Sequence, residues 1–176
     1  MGMDVFGIKP KIKEGSFKPD HIDWSSSSEE EKDKYMSDLN NYYKDNPGVY
    51  FRANVWSWRP IHDLICTFSD NAETETGQPL FTDRELISMA MNEGAGARTQ
   101  KTCDELARRF DIWLEHNASG RSLDLGMEVI SGSGRFASKE DIENPDVKTE
   151  SAYRTSDSHI KEFVEFLRGC GGFEVH

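Results

Sequence analysis

The spacing of apolar positions divides the chain into a short strand at each end and a series of amphipathic helices between them. Residues 3–8 carry Val5, Phe6 and Ile8 and are stopped by Gly7 and Pro10, which predicts a strand that starts a sheet. Gly171-Gly172 turns the chain into Phe173, Glu174 and Val175, a final strand and the natural partner of the first. Ser28 can cap a helix with Glu29 to Glu31 in its first turn and Tyr35, Met36, Leu39, Tyr42 and Tyr43 along it, ended by Asn46-Pro47-Gly48. Thr82-Asp-Arg-Glu85 has the form of a capping box ahead of Leu86, Ile87, Met89 and Ala90, and residues 92–96 break that helix. Thr99 opens the longest helix, running to about Asn117, with Cys103, Leu106, Ala107, Phe110, Trp113 and Leu114 on one stripe. Ser156 caps the last, whose positions Ile160, Phe163, Val164 and Leu167 repeat at i, i+3, i+4 and i+7 before Gly169.

The densest stretch is residues 48–63, with four aromatics and two arginines among sixteen residues. Phe51, Val55 and Trp58 recur at i, i+4 and i+7 and predict the core face of a helix; one residue on lie Arg52, Trp56 and Arg59. Pro60 kinks that helix or opens a second one, which carries Ile61, Leu64, Ile65 and Phe68 inward. Two segments read as loops or insertions, near 11–28 and 118–151. The second holds a candidate strand at 127–130, a Gly/Ser turn at 131–134 and a candidate helical turn at 138–145. The expected fold is a single α+β domain, in which a small antiparallel sheet formed by the terminal strands packs against several helices.

Composition narrows the function classes. Acidic residues outnumber Lys and Arg by 32 to 21, a net charge of −11, so nonspecific nucleic-acid binding is disfavoured by the protein's own field. The three cysteines, Cys66, Cys103 and Cys170, form no Cys-x-x-Cys pair, which argues against a disulfide framework or a Cys-only zinc site, and Cys66 and Cys103 sit at apolar positions of helical patterns that predict buried, reduced thiols. No segment approaches the ~20 apolar residues of a membrane span. The first residues carry no signal-peptide core, and Phe6 stands where a myristoylation signal needs Ser or Thr. The expected setting is the cytoplasm.

Two candidate sites emerge. Arg52, Trp56 and Arg59 offer guanidinium groups beside an indole, a combination that grips carboxylates, phosphates or aromatic ligands; the plainer alternative is that both arginines pair with the chain's own acids. Asn92, Gly94, Arg98 and Thr99 precede a helix N-terminus where backbone N–H groups can bind an anion. That run leaves Gly-x-Gly-x-x-Gly incomplete and follows a helix, so a plain inter-helix turn is the alternative. His62 and Cys66 are four residues apart without a third ligand at a diagnostic spacing, and no catalytic triad can be assembled. No catalytic residue, metal ligand or cofactor is therefore assigned.

Met1-Gly-Met-Asp-Val-Phe-Gly7, Tyr50-Phe-Arg-Ala-Asn-Val-Trp-Ser-Trp-Arg-Pro60, the Asn92-Glu-Gly94 break and Phe163-Val-Glu-Phe-Leu-Arg-Gly-Cys-Gly-Gly-Phe-Glu-Val175 occur in the same order as in a family of small bacterial and phage proteins of uncharacterised function, which the chain resembles over about half its length. Members of that family often carry Cys-x-x-Cys pairs between the long helix and the last one, suggestive of zinc; this chain has none there, so no metal role carries over. Its segment 11–46 is also longer than the family's usual opening. The resemblance implies a phage or bacterial accessory protein, and with the acidic surface it leads to the expectation of a non-enzymatic interaction module whose partner is a host or bacterial protein. The alternative is a small-molecule or nucleotide binder, even an enzyme, with an Arg/Trp-lined pocket. No membrane partner is expected, and no oligomeric state can be read from the chain.

Overall fold

A computed structural model describes residues 2–70, 78–117, 123–124 and 154–176. Along the chain these form β1 (Gly2–Gly7), α1 (Glu29–Asp45), β2 (Tyr50–Asn54), α2 (Val55–Asp70), α3 (Asp83–Ala90), α4 (Gln100–Asn117), β3 (Leu123–Asp124), β4 (Arg154–Thr155), α5 (Asp157–Gly169) and β5 (Phe173–Val175). The fold is α+β. Its main sheet has the order β2-β1-β5, antiparallel throughout, and a two-stranded ladder joins β3 to β4. The elements expected at 127–130, 131–134 and 138–145 lie outside the described residues.

Strand alternation places Met3, Val5, Phe51, Ala53, Phe173 and Val175 on the buried face of the sheet. Against that face pack the apolar stripes of α2, α4 and α5, including Trp58, Ile61, Ile65, Cys103, Leu106, Phe110, Ile160, Val164 and Leu167. Phe163 sits at the centre of this layer: its ring lies 5.0 Å from Phe51, 5.9 Å from Trp58, 5.5 Å from Phe110 and 6.1 Å from Phe173. The last three are edge-on contacts, the arrangement that ring quadrupoles favour. Trp58 also satisfies its buried indole N–H by donating to the Met89 carbonyl at 3.3 Å, which ties α2 to the end of α3.

The helix starts behave as local chemistry dictates. Ser28 and Glu31 form a reciprocal capping box, as do Thr82 and Glu85, and Ser156 accepts from the His159 N–H. Residues 50–54, in contrast, are a strand and not the first turns of a helix. They pair with β1 in the register Val5↔Phe51 and Asp4↔Arg52, with Phe51 and Ala53 inward and Arg52 outward. The helical spacing of Phe51, Val55 and Trp58 arises because a strand residue and two helix residues all face the same core. Asn54 makes the switch, its Oδ1 accepting from the Ser57 N–H at 2.9 Å to cap α2. Pro60 neither divides α2 nor begins a new helix; it is buried inside one helix of 16 residues.

Residues 92–97 form the expected inter-helix turn and also act as an added edge to the sheet. Gly94 N–H donates to the Val175 carbonyl at 2.9 Å, Val175 N–H to Ala95 at 3.0 Å and Phe173 N–H to Ala97 at 2.7 Å. The two backbones run so close that a Cβ on Gly96 would stand 2.1 Å from the Phe173 carbonyl oxygen. Glycine is needed there for space.

Between the neighbouring strands β1 and β2 the chain makes a long excursion through α1. No residue of α1 is buried. Residues 11–28 return along it, with the Trp24 ring edge-on to Tyr35 at 6.0 Å and His21 6.2 Å from the same ring. Asn46, the residue that ends α1, ties the two limbs of the arm to each other, and backbone bonds from Ile8, Lys9 and Lys11 to Gly172, Cys170 and Gly169 join the start of the arm to the body. The Asn46 side chain is fully buried: its Oδ1 accepts from the Lys13 N–H at 2.7 Å, and its amide donates to Ser16 Oγ at 2.7 Å and to the Tyr42 carbonyl at 2.8 Å.

Candidate functional site

Arg52 lies on the outer face of β2 opposite Asp4, while Trp56 and Arg59 sit three residues apart on the first turns of α2. All three are exposed, Trp56 at 49%, but the strand-to-helix switch at Asn54 means they are not one helical stripe. The second group is held by the sheet. Asn92, with φ of 60°, donates from its side chain to the Gly2 carbonyl at 3.1 Å, and Gly94, with φ of 69°, gives its N–H to Val175. Arg98 pairs with Glu174 of β5, whose carboxyl is held below its ordinary range chiefly by that guanidinium. Thr99 caps α4, accepting from the Thr102 N–H at 3.2 Å. The Gly94 N–H that an anion at this turn would need is thus already engaged.

His62 and Cys66 do come together, with 3.8 Å between Sγ and the imidazole, but His62 Nε2 is committed to the Leu86 carbonyl at 2.8 Å. Among the described residues no group of three potential ligands could hold a metal ion. Cys103 and Cys170 are fully buried, with their sulfurs 3.4 Å apart where α5 ends against α4. The two thiols share a hydrogen bond, and that bond together with burial pushes the Cys103 thiol up. Their separation of 67 residues hid this contact in the sequence.

Two continuous surface features collect the remaining chemistry. On the outer face of the sheet, aromatic rings run across three elements: Tyr43 stands 4.9 Å from Tyr50, Tyr50 5.2 Å from Phe6, and Phe6 6.0 Å from His176. Tyr50 donates its hydroxyl to Asp4 Oδ1 at 2.5 Å; partial burial and this carboxylate raise its pKa, so the phenol stays protonated. Beside β2, a groove of about 400 Å³ runs between α1 and α5, lined by Tyr43, Lys44, Tyr50, Arg52, Glu162 and Glu165 among others. Arg52 is the sequence-predicted residue that this groove contains, and it is completed by α1 and α5 rather than by Trp56 or Arg59.

The hydrogen-bond pattern explains why the groove has a polar floor. Asp4 exchanges both backbone bonds with His176, each at 2.7 Å, whereas Gly7 N–H donates to Val49 at 3.0 Å. Even-numbered residues of β1 therefore bond toward β5 and odd-numbered ones toward β2, so Phe51 and Ala53 face β1. The N–H and C=O groups of Tyr50 and Arg52 point the other way, into the groove, and no hydrogen bond among the described residues takes them up. Beyond Asn54 lies a second cleft of about 380 Å³, with Ser57, Thr155, Ser156 and His159 in its lining and Glu162 shared between the two. There Thr155 Oγ1 and His159 Nε2 are buried without a hydrogen-bond partner among the described residues.

No family model, curated protein or solved structure matches this chain. No helix among the described residues is long and apolar enough to cross a membrane.

Proposed function

We propose that the protein is a non-enzymatic interaction module that binds another protein through the arm inserted between β1 and β2. The observation that carries this reading is that α1 buries none of its 17 residues, while the arm exposes Phe17 at 86%, Trp24 at 45% and Met36 at 42%. Side chains of that size contribute roughly 1.5–3 kcal/mol each when fully covered, which a partner surface would supply. The phage or bacterial origin suggested by the sequence resemblance fits a host or bacterial protein as partner. A ligand pocket built jointly from Arg52, Trp56, Arg59 and the 92–99 turn has less support, since Arg98 is paired with Glu174 and the Gly94 N–H is used by Val175.

The test is quantitative affinity capture from a bacterial lysate with the whole chain and with a Phe17→Glu, Met36→Glu variant. A protein retained by the parent and lost by the variant at unchanged melting temperature is the expected result. Equal retention by both would sink the assignment to the arm.

A further inference from the structure

We infer that the free edge of β2 is a docking site for an extended peptide strand of a partner protein, one that alternates basic residues with aromatic ones. The inference rests on the interaction reading for the nature of the partner, but on different residues. It commits to backbone recognition along Tyr50 and Arg52, flanked by side-chain selection from the two helices that wall the groove.

The geometry supplies each part. An edge strand is a template for one more strand, and natural folds usually cover or shorten it. At β5 the corresponding edge is bridged by residues 94–97, with Gly96 fitted against Phe173, so that side of the sheet is closed. At β2 the Tyr50 and Arg52 backbone groups face a groove that is walled but unfilled among the described residues. A strand added there would donate to and accept from those four groups, the mode by which sheet edges capture peptides.

Its side chains would then alternate between two different walls. Below the sheet lies α5, where Phe166 packs against Phe51 at 6.1 Å between rings and Glu162 and Glu165 line the groove. A Lys or Arg fits this side, its aliphatic stem over Phe166 and its charge at the two carboxylates. Above the sheet lies α1, where Tyr43 and Tyr50 present their rings beside Lys44 and Arg52. That wall suits an aromatic side chain and repels a basic one. The net charge of −11 further favours encounter with a basic segment.

The experiment uses the full chain and a blocked seven-residue peptide alternating Lys with Tyr, read by amide hydrogen exchange and by titration. Bound peptide should slow exchange at Tyr50 and Arg52 roughly tenfold or more, since these amides gain partners. A peptide of the same sequence with N-methyl groups on the amides that face β2 should not bind, which removes any dependence on a protein variant's folding. Glu162→Gln with Glu165→Gln should weaken binding roughly three- to tenfold, the range expected of two partly exposed ion pairs. Absence of binding, binding without protection of Tyr50 and Arg52, or equal binding of a Glu/Tyr peptide would each overturn the proposal. So would a self-associated dimer already protecting those amides, for the occupant would then be a second copy of the chain. Loss of lysate capture by the arm variant with no peptide binding at β2 would leave the interaction reading standing and remove this one; peptide binding with capture unaffected would do the reverse.

Discussion

At the scale of single residues, His62 is a group whose titration, near neutral pH in the unfolded chain, is altered by its surroundings. Burial lowers its pKa below the ordinary 6.5 and the nearby Arg59 charge adds to this, while the Leu86 carbonyl and Asp63 oppose it. Because the folded state binds the proton less readily than the unfolded chain, its neutral form contributes full stability above about 6.5, and that contribution is lost as pH falls from there toward the folded value. The melting temperature should therefore drop between pH 7 and pH 5 by more in the parent than in His62→Gln, whose amide can still donate to Leu86. Parallel profiles would show that other groups carry the acid sensitivity. The sequence placed His62 and Cys66 on one helical face, and they do meet. It could not show that the hydrogen-bond partner of His62 lies 24 residues away, which is why a metal reading and a structural one looked alike.

At the scale of elements, what was legible is what is local. Ser28, Thr82 and Ser156 cap helices within three residues of themselves, and the stripes of α4 and α5 follow from their own periodicity. β2 was illegible because its evidence is a pairing with β1, Phe6↔Tyr50 to Gly2↔Asn54, across the whole length of the arm, while its inward residue Phe51 happens to fall at helical spacing from Val55 and Trp58. The 92–97 turn misled in the opposite direction: glycines before a helix suggest an anion cradle, yet here Gly96 clears the way for Phe173. Gly96→Ala tests this. With a Cβ 2.1 Å from the Phe173 carbonyl oxygen, the turn must move off β5, and a loss of about 1–3 kcal/mol in urea denaturation is expected, as for overpacking of a fitted core. Unchanged stability would mean that the turn is loosely held.

At the scale of the molecule, the chain divides into a body organised on Phe163 and an arm that shares little buried surface with it. Backbone hydrogen bonds from Ile8, Lys9 and Lys11 to Gly172, Cys170 and Gly169 and the contact of the Tyr43 and Tyr50 rings join the two, while within the arm the Asn46 side chain and an exposed Lys13–Asp45 ion pair hold residues 13–16 against the end of α1. Exposed pairs of that kind contribute little, so Asn46 should decide how firmly α1 is held to residues 13–16. Asn46→Ala leaves the Lys13 N–H without its acceptor and frees the end of α1 from residues 13–16, a local cost of about 1–3 kcal/mol. If arm and body are separate cooperative units, amide exchange in α1 should accelerate by roughly ten- to a hundredfold while amides around Phe163 and Val5 keep their parent rates. A matching acceleration in both regions would show one cooperative unit, with the arm contributing to global stability. The first outcome has a functional corollary. With its end released from residues 13–16, α1 would carry Tyr43 and Lys44 away from β2, widening the groove at its α1 wall, so the same substitution should change binding at the sheet edge without touching it.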